Sequence, residues 1–284
     1  MSQAIPSLSA VIELARRVRV RTLRMVHAAN ASHVGGGLSM ADLLAQLYGG
    51  VMRVDPAQPS WPGRDRLILS KGHAAAALYA VLAERGFFPS AWLDDYTRDG
   101  SPLTGHANHA VPGVDASTGA LGHGLSIACG LALASKRCGL GFRTFCLLSD
   151  GELDEGSVWE AALFAGHHRL DTLTAIVDYN KVQSFGSVSE VLELEPLADK
   201  WRAFRWAVRE VDGHDPQALA RALGTLPMEP GRPGVLIAHT VKGKGVPFME
   251  GKLLWHYRSP TAEQLAEALR GLEGPERPGA GGGG

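Results

Sequence analysis

Asp150 and Asn180 each directly follow a run with the character of a buried strand, TFCLLS over 144–149 and LTAIVDY over 173–179. A helical crossover between two such strands makes them parallel and brings both residues to one edge of the sheet. That edge is where open α/β folds bind ligands. An Asp carboxylate and an Asn amide oxygen are hard donors. With one backbone carbonyl and the oxygens of a diphosphate they can complete an octahedral Mg2+ shell. Gly151 stands where a side chain would obstruct a phosphate, and Glu155 and Gly156 open a helix whose N-terminus favours anions. The other reading is that Asp150 and Asn180 are turn residues, for which both types are well suited.

The elements around this pair read as one large α/β unit. Apolar residues fall at helical spacing over 8–26, and the arginines between them, Arg16, Arg17, Arg19, Arg21 and Arg24, read as a solvated face. A helix is predicted over 39–50, with Ser39 as its N-cap and glycines at its end. A strand over 66–70 and a helix over 74–85 follow. The stretch 93–114 is rich in Gly, Pro, His and Asn without periodicity, which predicts a long loop of the functional kind. An Ala-rich helix over 125–136 precedes the strand at 144–149. A helix over 157–168, the strand at 173–179, strands over 205–211 and 235–240 and a helix over 215–226 complete the pattern. Strands alternating with helices predict a parallel sheet covered by helices on both faces. From residue 272 the composition (LEGPERPGAGGGG) predicts a disordered tail, so the domain is expected to occupy residues 1–271 and the tail 272–284.

Composition removes several function classes. The 284 residues carry a formal net charge of -1, with no basic stripe or polybasic block for nucleic acid or membrane. No apolar run has the length of a membrane span, and the Arg-rich N-terminus is not a signal peptide. The 3 cysteines, Cys129, Cys138 and Cys146, form no CxxC pair and fit reduced thiols of a cytoplasmic protein.

The run from Ser149 to Asn180, SDGELDEGSVWEAALFAGHHRLDTLTAIVDYN, resembles the thiamine-diphosphate motif. Similarity to transketolases then extends across most of the chain. It is carried by SHVGGGLSMADLLAQLY (32–48), RDRLILSKGHAAAALYAVLAERG (64–86), PLTGHANHAVPGVDASTGALGHGLSIACGLALA (102–134) and TVKGKGVPFMEGKLLWH (240–256). The chain is most similar to the short N-terminal subunits of split transketolases. The resemblance implies the thiamine-diphosphate-binding fold, with thiamine diphosphate and Mg2+ as cofactors. It implies Mg2+ ligation by Asp150, Asn180 and the Val182 carbonyl, and diphosphate contacts from Gly151 and His73. It places Gly119 and Leu121 of STGALGHG, small residues that open a helix, along the aminopyrimidine and thiazolium. Glu155 is implied to link paired active sites across an interface.

Of the 11 histidines, four match active-site histidines of that family: His33 and His256 toward the scissile bond, His106 toward the donor carbonyl, and His73 on the diphosphate side. Transfer of a ketol unit forms and collapses alkoxides at every stage, for which donors and shuttles titrating near neutrality are useful. His167, His168 and His214 read as helix-end or turn residues. KGKG (242–245) suggests a phosphate cradle, while the family implies an ordered loop near the cofactor.

Departures from the family pattern are Ser149 (SDG for GDG), His123 for Gln, GHA for GHP at 105–107 and WHY for WHG at 255–257. They leave the metal ligands and the four histidines intact, so cofactor binding is expected, and the changes near His106, His123 and Tyr257 leave the donor substrate open. The family's pyrimidine-binding and C-terminal domains have no counterpart here. The expectation is therefore a partner chain carrying them, in a heterotetramer with sites between subunits. Two activities suit the residues. One is two-carbon transfer from a ketose phosphate to an aldose. The other is a specialised pathway with another acceptor, such as a carrier protein. A non-catalytic thiamine-diphosphate-binding assembly subunit is the reading of a different class.

Overall fold

Every residue of TFCLLS and LTAIVDY is buried, as the middle of a sheet covered on both sides requires. The computed structural model describes residues 7–273. In chain order the helices are α1 (Leu8–Ala28), α2 (Val34–Ser39), α3 (Ala41–Gln46), α4 (Ala75–Glu84), α5 (Gly124–Cys138), α6 (Gly156–His168), α7 (Val188–Val191), α8 (Leu197–Ala203), α9 (Pro216–Gly224) and α10 (Ala262–Glu273). The strands are β1 (Arg66–Leu69), β2 (Thr144–Ser149), β3 (Leu173–Tyr179), β4 (Ala207–Asp212) and β5 (Gly234–His239). They form one sheet in the order β1-β2-β3-β5-β4, and every pairing is parallel.

Alternate side chains of the strands enter two apolar layers. Leu67, Leu69, Phe145, Leu147, Ile176 and Leu236 pack with α1, α3, α4 and α9. Ile68, Cys146, Leu148, Ala175, Val177, Val235 and Ile237 pack with α5, α6 and α8. The expected α/β fold, a parallel sheet with helices on both faces, is what forms. Because β2 and β3 are direct neighbours, with Ser149 opposite Asp178, the residues that follow them leave the sheet side by side.

Several local expectations need correction. Ser39 is not an N-cap: it ends α2, and its hydroxyl donates to the Asp178 carboxylate at 2.6 Å. The helix expected over 39–50 is split. α3 ends at Gln46, and a wide π-type turn, Leu47–Val51, carries the Gly49–Gly50 pair. The arginine face of α1 is not simply solvated. Arg19 is buried on Asp42 at 2.5 Å, and Arg17 and Arg21 both reach Glu84 at 2.8 and 2.9 Å. α8 and α10 are not among the predicted elements, although α10 carries an apolar stripe and a Thr261–Gln264 capping pair. Leu272 and Glu273, assigned to the tail, are the last residues of α10, and 274–284 lie outside the described residues. His214 bridges two segments. Its Nε2 accepts from the Val241 N–H at 2.8 Å, so Nδ1 carries the proton and donates to Asp42 at 2.7 Å.

Candidate active site

Asp150 emerges from β2 and Asn180 from β3, and both open onto one cavity of about 270 Å3 at the C-terminal edge of the sheet. His33, His73, His106, His256, Gly119, Leu121, Gly151 and Val182 line the same cavity. The chain segments that carry them lie far apart in sequence, and the fold brings them together. Glu155 is the exception: it is exposed at the start of α6 and lies outside this lining.

At the strand ends, the Asp150 carboxylate accepts from the N–H of Gly151 at 2.8 Å and of Lys181 at 2.5 Å. The Asn180 amide oxygen accepts from the Val182 N–H at 3.2 Å. Burial, then repulsion from Asp178, pushes the Asp150 carboxyl up to about 6. Gly151 has a local reason beyond phosphate access, because a Cβ there would lie 3.0 Å from the Gln183 side chain.

The histidines form a cluster. The His33 ring centroid lies 4.9 Å from that of His73, 5.0 Å from His256 and 6.5 Å from His106. His33 is held in a left-handed conformation, φ 68°, which costs a non-glycine residue about 1 kcal/mol or more. Its backbone N–H donates to the His256 carbonyl at 2.9 Å, which ties the start of α2 to the turn Leu253–His256. The loop over 93–114 is anchored where His106 sits. The Tyr79 hydroxyl donates to the His106 carbonyl at 2.7 Å, and the Ala107 N–H donates to the Gly72 carbonyl at 3.1 Å.

Burial lowers His33 to about 4 and His256 to about 3, and carries His73 well below its ordinary value. Neighbouring lysines and histidines add to each shift. These three imidazoles are therefore neutral at pH 7 and do not titrate near neutrality. A neutral imidazole has one donor and one acceptor nitrogen; Nδ1 of His33 is engaged by the Ser32 hydroxyl at 2.9 Å and Nδ1 of His256 by Lys242 at 3.0 Å.

Four further polar residues shape the site; of these the sequence had pointed only to Lys242, as part of KGKG. Lys71 and Asp178 form a fully buried ion pair at 2.5 Å, and Lys71 also donates to the Gly36 carbonyl at 3.1 Å. Asp178 accepts from Ser39 and Thr240 as well, and these partners hold its carboxyl below the usual range despite burial. Glu152 is buried and accepts from the Ser70 hydroxyl, the Gly122 N–H at 2.9 Å and the Ser149 N–H at 3.3 Å. It pins β1, β2 and the STGALGHG turn to one another. Lys242 lines the cavity, with its ammonium 2.9 Å from the Val182 carbonyl and 3.0 Å from His256 Nδ1. The available signals were LSKGH and VKGKG, whose lysines follow strand-like runs, and the Asp within LTAIVDY, a charge inside an otherwise apolar strand.

The lining suits a magnesium diphosphate. Two buried ammonium groups, from Lys71 and Lys242, give the cavity a positive wall for a polyanion. A divalent cation would supply the charge that Asp150 lacks. Among the described residues no group of three or more His, Cys, Asp or Glu could hold a metal. The donor set is of the other kind, one carboxylate, one amide and one carbonyl, which leaves positions for phosphate oxygens.

Known proteins share this fold. Residues 11–274 match the family model described as transketolase, thiamine diphosphate binding domain. The chain belongs to the transketolase family, a family of transferases. It is 45% identical over 257 residues to a 6-deoxy-6-sulfo-D-fructose transketolase subunit of Clostridium sp. (strain MSTE9), covering 90% of this chain and 94% of that one. It is 43% identical to one of the subunits of the apulose-4-phosphate transketolase of Phocaeicola vulgatus, covering 89% and 90%. The crystal structure of Campylobacter jejuni transketolase superposes with a TM-score of 0.89 at 32% identity, covering 94% of this chain and 43% of that one. In particular, then, the chain matches proteins named as transketolase subunits over about nine tenths of both lengths, and spans about two fifths of the Campylobacter jejuni transketolase chain.

Proposed function

We propose that the chain binds thiamine diphosphate through Mg2+ and acts as the diphosphate-binding subunit of a two-chain transketolase. This enzyme would transfer a two-carbon ketol unit from a ketose donor to an aldose acceptor. The observation that carries the reading is the convergence of Asp150, Asn180, Val182 and four histidines on one cavity at the sheet's C-terminal edge. Asp150, Asn180 and the Val182 carbonyl would hold the metal, and Gly151 and His73 would contact the diphosphate. Gly119 and Leu121 would lie along the cofactor's rings. When bound, thiamine diphosphate supplies a carbanion equivalent that accepts and releases the two-carbon unit.

The chain's own residues supply the surroundings. His33, His106 and His256 offer fixed hydrogen-bond donors and acceptors to the hydroxyls and carbonyl of the sugar. A diphosphate in the cavity offsets the positive charge of Lys71 and Lys242, and so moves the imidazoles back toward their ordinary range. Glu155, exposed beside the site, remains free to link paired sites once the assembly forms.

A partner subunit carrying the pyrimidine-binding and C-terminal domains, joined in a heterotetramer, completes this proposal. The subunit-length relatives support it. Among the described residues no helix is long and apolar enough to cross a membrane, and Cys129, Cys138 and Cys146 are free thiols, which favours the cytoplasm. Titration calorimetry of the chain with thiamine diphosphate, with and without Mg2+, tests the cofactor claim. Loss of metal-dependent binding in Asp150→Ala is the expected result, and metal-independent binding at unchanged affinity would refute it. Donor–acceptor assays of the complex with its partner test the transfer.

One observation favours a specialised sugar over pentose phosphates. The subunit-length relatives at 43–45% identity are named for sulfofructose and apulose phosphate, while the transketolase of Pongo abelii is 38% identical. The departures Tyr257 and Ala107 adjoin His256 and His106, and His123 contacts the carbonyl of the lining residue Leu121, which agrees with that choice. Exchange between pentose phosphates at full rate by the reconstituted complex would remove it.

A further inference from the structure

Lys242 is 2% exposed, and no ion pair holds its ammonium among the described residues. Lys71, on the same cavity, has the Asp178 carboxylate at 2.5 Å. The Lys242 ammonium instead donates to the Val182 carbonyl at 2.9 Å and sits 3.0 Å from the Nδ1 of His256. A desolvated cation whose hydrogen-bond partners are all neutral, with Asp150 and Asp178 acting only from beyond contact, is an expensive arrangement, and it is relieved by an anion.

The stem cannot travel far. Gly35 packs so closely under it that a Cβ at that position would lie 3.0 Å from the Lys242 Cγ. The Gly243 N–H is tied to the Gly35 carbonyl at 3.0 Å. Only the terminal torsions of the side chain are free to swing the ammonium.

The carbonyl in question is the one assigned to the metal beside Asp150 and Asn180. That oxygen has two lone pairs, but an ammonium and a divalent cation sharing it would stand only a few ångström apart and repel each other. We propose that Lys242 is a resident cation that holds the third metal-ligand position in the unloaded site. Repulsion moves it off the Val182 carbonyl as the metal enters, and the incoming diphosphate provides the counter-charge that makes leaving favourable. Metal and diphosphate then load together, each weak alone. This rests on the cofactor reading above.

The test uses the full chain and Mn2+, followed by electron paramagnetic resonance, with and without inorganic pyrophosphate or thiamine diphosphate. Wild type is expected to bind Mn2+ alone at least about tenfold more weakly than Lys242→Met, a coupling within the ordinary range for linked ligands. Addition of pyrophosphate should tighten wild type by more than it tightens the variant. Urea denaturation confirms that the variant is folded. Equal affinity of the two proteins for Mn2+ alone would overturn the proposal and leave the cofactor reading standing. A crystal structure with Mg2+ and thiamine diphosphate separates displacement from a through-space effect. Nζ more than 4 Å from the Val182 oxygen is expected, and Nζ still at hydrogen-bond distance refutes displacement. Failure of both proteins to bind Mn2+ even with thiamine diphosphate would remove the cofactor reading and this proposal with it.

Discussion

Replacing Lys71 by Met removes the ammonium from the Asp178 carboxylate and leaves that carboxylate fully buried, with only the Ser39 and Thr240 hydroxyls as side-chain partners. Removing one member of a buried pair costs about 3–5 kcal/mol, because the remaining charge is uncompensated. For a domain of this size that is a fall in Tm of roughly 6–20 °C. The pH dependence follows from the sign of the shift. In the wild type the Asp178 carboxyl lies below its unfolded value. Its contribution is thus present above the unfolded pKa, about 3.9, and is lost as pH falls through the lower folded value. Without Lys71, burial raises the folded value above the unfolded one. The variant then binds a proton on folding, and its penalty grows as pH rises. Lys71→Met should therefore be worse at pH 8 than at pH 5, and Lys71→Met combined with Asp178→Asn should recover much of the loss. Urea unfolding of the isolated chain followed by circular dichroism measures all of this. A single variant within about 1 kcal/mol of wild type at pH 8 would refute the claim that a desolvated pair underlies the cavity floor.

Other outcomes follow from the same geometry. Burial and Asp178 push the Asp150 carboxyl up to about 6, so protons compete with the metal below that pH. Mg2+-dependent cofactor binding should weaken about tenfold between pH 7 and pH 5 from this group, as calorimetry at the two pH values would show. Because the folded value is raised, ionisation of Asp150 also destabilises the unloaded chain as pH rises through 6. A Cβ on Gly124 would lie 2.2 Å from the Ser70 hydroxyl oxygen, so Gly124→Ala should cost about 1–3 kcal/mol by urea unfolding. Glu152→Gln places an amide donor where the carboxylate accepts from Ser70, Gly122 and Ser149. A loss of about 1–3 kcal/mol is expected, with weaker thiamine diphosphate binding because the STGALGHG turn loosens.

The parallel sheet was legible because a strand buried on both faces leaves a continuous apolar run, and TFCLLS and LTAIVDY are such runs. Their predicted spans coincide with β2 and β3, and the ends of these adjacent strands place Asp150 and Asn180 together. The split of α3 from the turn over Leu47–Val51 was not legible, since the Leu, Ala and Tyr spacing there suits a continuous helix. Neither was the true role of Ser39, because a serine before a helix reads as a cap whatever lies across from it.

The order of residues alone determined which chemistry is available: hard oxygen donors after two strands, histidines in loops, glycines where backbone must approach a ligand. Tertiary structure decided the charge states. Burial, with Lys71 and Lys242 nearby, makes His33, His73 and His256 neutral, while burial and repulsion from Asp178 lift Asp150, and Lys71 is locked onto Asp178. Those outcomes depend on desolvation and on distances between segments as remote as residues 33 and 256. No local pattern encodes either quantity.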